Sequence, residues 1–185
     1  MEDIRPRGFT LIELIVAMVL VAVLVALAAP AFQDLAVRNR VSTYAAQWMA
    51  VLNTVRAEAI KRNRQVSLCP SGNGLACDPS LTWGDGWLLF ADDNGNGSYE
   101  PGIDRLLQVG GALDDGYLII ASKHDDWFAY RRNGVARGNK GAGNNTFLIC
   151  RPGAVKDELV RRVVTSVVGR PRVAEGLDDK TCEKS

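Results

Sequence analysis

The sequence has a single histidine, His124, and that scarcity closes off most metal and nucleophile chemistry. One imidazole cannot supply a Cys2His2 site, and the four cysteines form no Cys-x-x-Cys pair. No Gly-x-Ser-x-Gly, P-loop or Rossmann glycine pattern occurs. His124 sits in Lys123-His124-Asp125-Asp126, which reads as an exposed, charged turn. An enzyme, a cofactor or a small-molecule substrate is therefore not expected. Overall charge is also lacking, at +1, so the whole chain is neither acidic nor basic. Most telling, residues 14–29 contain no charge at all.

That uncharged run, extended to Phe9 and Phe32, has about the length of a membrane helix, roughly 20 residues. Arg5 and Arg7 precede it. One carboxylate, Glu13, lies just inside its leading end. An acid in a membrane segment is costly and usually functional, and a simple anchor has no need of one there. An ordinary secretory signal is cut after its apolar core; Ala26, Ala28 and Ala29 imitate such a site only loosely.

Charge is unevenly spread along the rest. Residues 65–126 carry 2 basic and 10 acidic side chains, and residues 127–185 carry 12 basic and 6 acidic. A segment at −8 followed by one at +6 suggests a polyanion-binding surface, although solvated faces also give this pattern. Cys69, Cys77, Cys150 and Cys182 all follow the apolar run, and an even number there fits an oxidising compartment. Four cysteines allow three pairings; the favoured one is Cys69–Cys77 with Cys150–Cys182.

The first helix is expected to run from the apolar segment to about Asn63, bent or broken near Pro30. Beyond Pro30, Val41, Ala45, Trp48, Leu52, Val55 and Ala59 recur at spacings of 4 and 3, which makes one apolar stripe. Short β-like runs follow at 65–69, 87–91, 106–109, 117–122, 127–130, 146–150 and 159–168. Asn94-Gly95 and Asn133-Gly134 mark hairpins between them, and 138–145 reads as a mobile glycine-rich loop. The fold class is α+β, a long helix packed on an antiparallel β-domain.

These residues carry a family resemblance. Gly8-Phe9-Thr10-Leu11-Ile12-Glu13 resembles the class III signal of type IV prepilins and pseudopilins. Trp83-Gly84-Asp85-Gly86-Trp87, Phe128-x-Tyr130 with Asn133-Gly134, and Arg161-Arg162-Val163-Val164 before Gly169-Arg170 resemble the GspH/FimT family of minor pilins and pseudopilins. The resemblance implies prepilin peptidase cleavage after Gly8 and N-methylation of Phe9. It also implies that Glu13 meets the terminal amine of a neighbouring subunit during filament assembly. Residues 1–8 would be the leader, 9–31 the transmembrane and assembly half of the helix, 32–64 its amphipathic half and 65–185 a periplasmic domain. Expected partners are other major and minor pilins or pseudopilins, the peptidase and the inner membrane.

Gly169-Arg170-Pro171-Arg172 resembles the DNA-binding motif of FimT-type minor pilins used in natural transformation. Two guanidinium groups two residues apart lie on one side of an extended segment, and their forked donors suit phosphate. Arg131, Arg132, Arg137, Lys140, Arg161 and Arg162 are candidate extensions of the patch, although alternation lets at most one of Arg161 and Arg162 face DNA. Arg56, on the distal helix, is expected to play no part. The alternative function is the H-type minor pseudopilin of type II secretion. Asp92-x-Asn94-x-Asn96-Gly97 looks like the front half of a calcium loop. Its twelfth place holds Ile103, however, so an acidic hairpin turn is the better reading.

Overall fold

The structure is a computed structural model and describes residues 9–114, 116–152, 159–176 and 182. Gly8 and the rest of the expected leader lie outside the described residues. The helix α1 spans Leu11–Arg62. A reciprocal pair of bonds starts it: the Thr10 amide donates to Glu13 Oε2 (3.4 Å) and the Glu13 amide donates to Thr10 Oγ1 (3.3 Å). This Thr-x-x-Glu capping box satisfies two donors that a helix start otherwise leaves unpaired. Glu13 thus has a local structural reason for its position, which corrects the reading that only function asks for it. The helix passes position 30 unbroken, where a bend or break was expected. Asn63 follows its end at φ +54°, a left-handed residue of the kind that closes helices.

The chain divides between Ala36 and Val37 into two units. In the first, the apolar side chains from Leu11 to Leu27 are exposed, and the helix there is long and apolar enough to cross a membrane. The second unit holds the remainder of α1 and two antiparallel sheets. The expected stripe Val41, Ala45, Trp48, Leu52, Val55 and Ala59 is buried, with Tyr44 beside it.

Among the described residues ten strands follow the helix: β1 Val66–Pro70, β2 Trp87–Ala91, β3 Arg105–Gly110, β4 Leu118–Ala121, β5 Phe128–Tyr130, β6 Ala136–Gly138, β7 Gly141–Ala142, β8 Asn145–Cys150, β9 Arg161–Thr165 and β10 Pro171–Glu175. They form a six-stranded sheet in the order β3-β2-β1-β5-β6-β7 and a four-stranded sheet in the order β10-β9-β8-β4. Both sheets send side chains to the helix stripe. Leu68, Leu89 and Phe128 come from the first, and Ile119, Phe147 and Val163 from the second. Trp48 is the hub, with edge-on contacts to Trp83 (5.6 Å), Trp87 (6.2 Å) and Phe147 (5.1 Å) between ring centroids.

Four sequence expectations change here. Residues 138–145 are not a loose loop: they contain the β6–β7 hairpin and the first residue of β8, because the glycines make tight turns. The expected strand at 159–168 stops at Thr165, where residues 166–169 turn. Pro171–Glu175 is a strand that apolar alternation did not reveal, because an edge strand tolerates Pro and exposed charge. His124 is fully buried rather than exposed. The Asn145 carboxamide oxygen accepts its backbone N–H (3.2 Å), and Gly138 approaches so closely that a Cβ there would lie 2.3 Å from the imidazole. Those two residues draw the ring inward.

Candidate functional site

The disulfides are Cys69–Cys77 and Cys150–Cys182. Each packs into a small apolar cluster apart from the main core. Cys69 lies with Leu88 and Phe90, and the Cys150–Cys182 pair lies with Leu148 and Val160.

The Gly169-Arg170-Pro171-Arg172 segment spans a turn and the start of an edge strand. Strand β10 pairs only with β9, Arg172 standing opposite Val164. Arg170 is the last residue of the turn, and its amide donates to Ser166 Oγ (3.4 Å). Pro171 opens the strand, where a missing donor costs no ladder bond. Arg170 and Arg172 are both exposed. With Asn144, Ser166 and Val167 they line an open groove.

Gly169 is demanded by geometry. It has φ +80°, and a Cβ there would lie 2.0 Å from the Gly134 carbonyl oxygen. That contact joins its turn to the β5–β6 turn, which carries the exposed Arg131 and Arg132. Sequence reasoning missed the residue that ties the two together. Arg56 Nε donates to the Gly134 carbonyl (3.3 Å) and its Nη2 to the Val168 carbonyl (3.2 Å). A charge next to the apolar stripe was the signal available, and no part in the site was expected of it.

The other candidate basic residues are engaged elsewhere. The Arg137 guanidinium stacks 5.2 Å from the Trp127 ring centroid and donates to Gln65 Oε1 (3.3 Å). Lys140 pairs with Asp125 (3.3 Å). Arg161 is buried, donating to the Val160 carbonyl and pairing with Glu175 (3.2 Å). Arg162, next to it, donates to the Glu175 carbonyl (3.0 Å).

The Asp92 loop is a hydrogen-bonded turn. Asp92 accepts from the Gly95 and Gly97 amides, Ser67 Oγ and Gln65 Nε2. Asp104 accepts from the Asp93 and Glu100 amides. Both carboxylates face N–H and O–H donors, which leaves them poorly placed for a cation. Among the described residues no group of three or more His, Cys, Asp and Glu could hold a metal ion.

His124 is the one buried imidazole. The Lys140 amide donates to its Nδ1 (3.3 Å), and Asn139 Oδ1 lies 3.4 Å from the same nitrogen. Burial pushes its pKa below the ordinary value near 6.5, although the Asn139 contact opposes this.

Residues 44–169 match the family model described as type II transport protein GspH, and residues 5–29 match the prokaryotic N-terminal methylation motif. The pilin-like protein PilA1 of Thermus thermophilus is 37% identical over 98 residues, 52% of this chain. The chain spans about half, 54%, of that curated relative's length. Two crystal forms of the type IV minor pilin FimU of Pseudomonas aeruginosa share the fold. One has a TM-score of 0.55 and 21% identity, covering 77% of this chain and 92% of FimU. The other has a TM-score of 0.51 and 19% identity, covering 75% and 94%.

Proposed function

This chain belongs to the GspH family of type II transport proteins, and from that membership we propose that it is a minor pilin of a type IV pilus that binds DNA through Arg170 and Arg172. Pilins of this kind are non-enzymatic filament components. The peptidase would cut after Gly8 and methylate Phe9. The apolar half of α1 would hold the subunit in the inner membrane, with its second unit in the periplasm, until it joins other pilins. The observation that carries the DNA reading is the exposed pair of Arg170, at the end of a turn, and Arg172, on the edge strand that follows it. Phosphates carry no sequence information, so binding would ignore base sequence. One subunit would bind weakly, with Kd of about 10⁻⁴–10⁻⁶ M, and steeply salt-dependently. Uptake of DNA in natural transformation is the role this binding serves.

A second reading, the H-type minor pseudopilin of type II secretion, is favoured by the description of the matched family. The test is DNA binding by the full chain in nonionic detergent, by fluorescence anisotropy. Wild type should bind at low salt, and Arg170→Gln/Arg172→Gln should not. Absence of wild-type binding, or equal binding by the double variant, would move the assignment to the secretion pseudopilin.

A further inference from the structure

Two turns remote in sequence are locked together beside the proposed phosphate site. Residues 131–134 close the β5–β6 hairpin, the Gly134 amide donating to the Arg131 carbonyl (2.8 Å). Residues 166–169 join β9 to β10, the Gly169 amide donating to the Ser166 carbonyl (2.8 Å). At Gly169 only hydrogen fits, since a Cβ would meet the Gly134 carbonyl oxygen at 2.0 Å and the Tyr130 ring at 2.8 Å. The Ala136 amide adds a bond to the Val167 carbonyl (3.2 Å). Beneath both turns, the half-buried Arg56 donates to one carbonyl from each.

Each turn presents basic side chains. Arg131 and Arg132 are exposed on the first, and Arg170 and Arg172 are exposed at the end of the second and just beyond it. Among the described residues none of these four guanidinium groups is held by a hydrogen bond or ion pair, whereas Arg137, Lys140 and Arg161 each are.

We propose that the DNA site is bipartite, made of Arg131 and Arg132 together with Arg170 and Arg172, and that Arg56 is the positioning residue that holds the two turns as one surface. This rests on the DNA-binding reading above. Arg56 touches no phosphate in this scheme. Its planar fork spans two carbonyls, which a lysine's single ammonium does less well. The consequence is quantitative, because each phosphate contact on duplex DNA steepens the salt dependence of binding by about 0.9 in log–log slope. Four contacts predict a slope near −3.6, and one arginine pair about half that.

The experiment is a NaCl series by fluorescence anisotropy, with the full chain in nonionic detergent and a labelled duplex of arbitrary sequence. Arg131→Gln/Arg132→Gln should weaken low-salt binding about tenfold or more and flatten the slope by about 1.8, the share of two contacts. Arg56→Lys keeps the charge, so its expected several-fold loss and shallower slope report position rather than electrostatics. Arg56→Gln should lose more. Arg105→Gln, on edge strand β3, three strands from β5 in the six-stranded sheet, removes one charge and should leave the slope unchanged. Wild-type slope and affinity in Arg131→Gln/Arg132→Gln, with binding lost in Arg170→Gln/Arg172→Gln, would overturn the bipartite site and leave the DNA reading intact. A lower melting temperature but unchanged slope in Arg56→Lys would overturn the positioning role. No wild-type binding at low salt would remove the DNA reading itself, and this inference with it.

Discussion

The two halves of α1 are both rich in apolar residues, yet they solve opposite problems. Between Leu11 and Leu27 the apolar side chains are exposed, Leu24 at 66% and Leu27 at 73%. From Val41 to Ala59 the stripe is buried, Trp48 at 2% and Leu52 at 0%. The difference lies in arrangement more than in composition. A helix apolar all round has no polar face to leave in water and needs a lipid or a neighbouring helix to cover it, whereas a single stripe is covered by the protein's own sheets. The first half therefore needs cover from outside the chain, and the second is covered by the chain's own fold. Separate substitutions should move separate observables.

The largest expected effect is on the folding half. Trp48→Ala removes the hub of three edge-on aromatic contacts and should cost about 3–5 kcal/mol of stability. The measurement is a denaturant titration of the full chain in detergent, read by near-ultraviolet circular dichroism. Leu20→Ala, in the exposed half, should leave that transition in place; an equal shift would erase the contrast. Cys150→Ser/Cys182→Ser opens a link between residues 32 apart. Loop closure over that separation makes it worth about 3.7 kcal/mol in the chain-entropy view, against about 2.6 for Cys69–Cys77. Paired melting curves should rank the two in that order.

A smaller effect is expected from pH. His124 is favoured neutral when folded, because burial lowers its pKa below 6.5. The unfolded chain therefore binds more protons than the folded one just below that value. Stability is full above pH 6.5 and falls as pH drops through the folded pKa. The carboxyl of Asp125 titrates lower: burial, the largest single influence, would raise its pKa, but the bond from Asn139, a backbone amide bond and the Lys140 ammonium together outweigh it. It therefore acts in a separate, more acidic window. Melting temperature should decline between pH 7 and 5 in wild type and stay nearly flat in His124→Gln. A parallel decline in the variant would assign the effect to other groups.

The smallest effect on the folded domain is expected at Glu13. Glutamine preserves the capping box with Thr10, because either side chain serves at that position, but it removes the charge. Glu13→Gln should leave domain melting unchanged and helix-start hydrogen exchange near wild type. If charge is what assembly uses, sheared filaments should still lack the variant. Normal incorporation would mean that the cap is the carboxylate's whole role.

Much of the folding half was legible because helical periodicity survives as a pattern in one dimension. Val41 to Ala59 could be placed without seeing the sheets. Trp87–Ala91 and the Asn133-Gly134 turn declared themselves through apolar runs and a specific dipeptide. The remaining features depend on contacts across long stretches of chain. The burial of His124 needs Gly138 and Asn145, neither of which marks the Lys123–Asp126 run as anything but charged. Arg56 has no visible part to play until carbonyls 78 and 112 positions away arrive beside it. Strand β10 was hidden by Pro171, Arg172 and Glu175, which break apolar alternation. Thr10-x-x-Glu13 was different, since the cap signature was visible and was overshadowed by the cost of an acid in an apolar run.

The strand order also dictates a schedule. Strand β4 hydrogen-bonds only to β8 in its sheet, and three strands of the other sheet lie between them in the chain. While the chain is being made from its amino end, residues 118–121 wait without a partner until 145–150 have appeared. The six-stranded sheet can close first, and Cys69 can meet Cys77 within its own segment. Cys150 has no mate until Cys182, 32 residues further on, is out. An oxidant acting on the growing chain thus meets a young Cys150 as a lone thiol. The long bridge therefore closes after the short one, and it is the one more dependent on an enzyme that can reshuffle an early mistake.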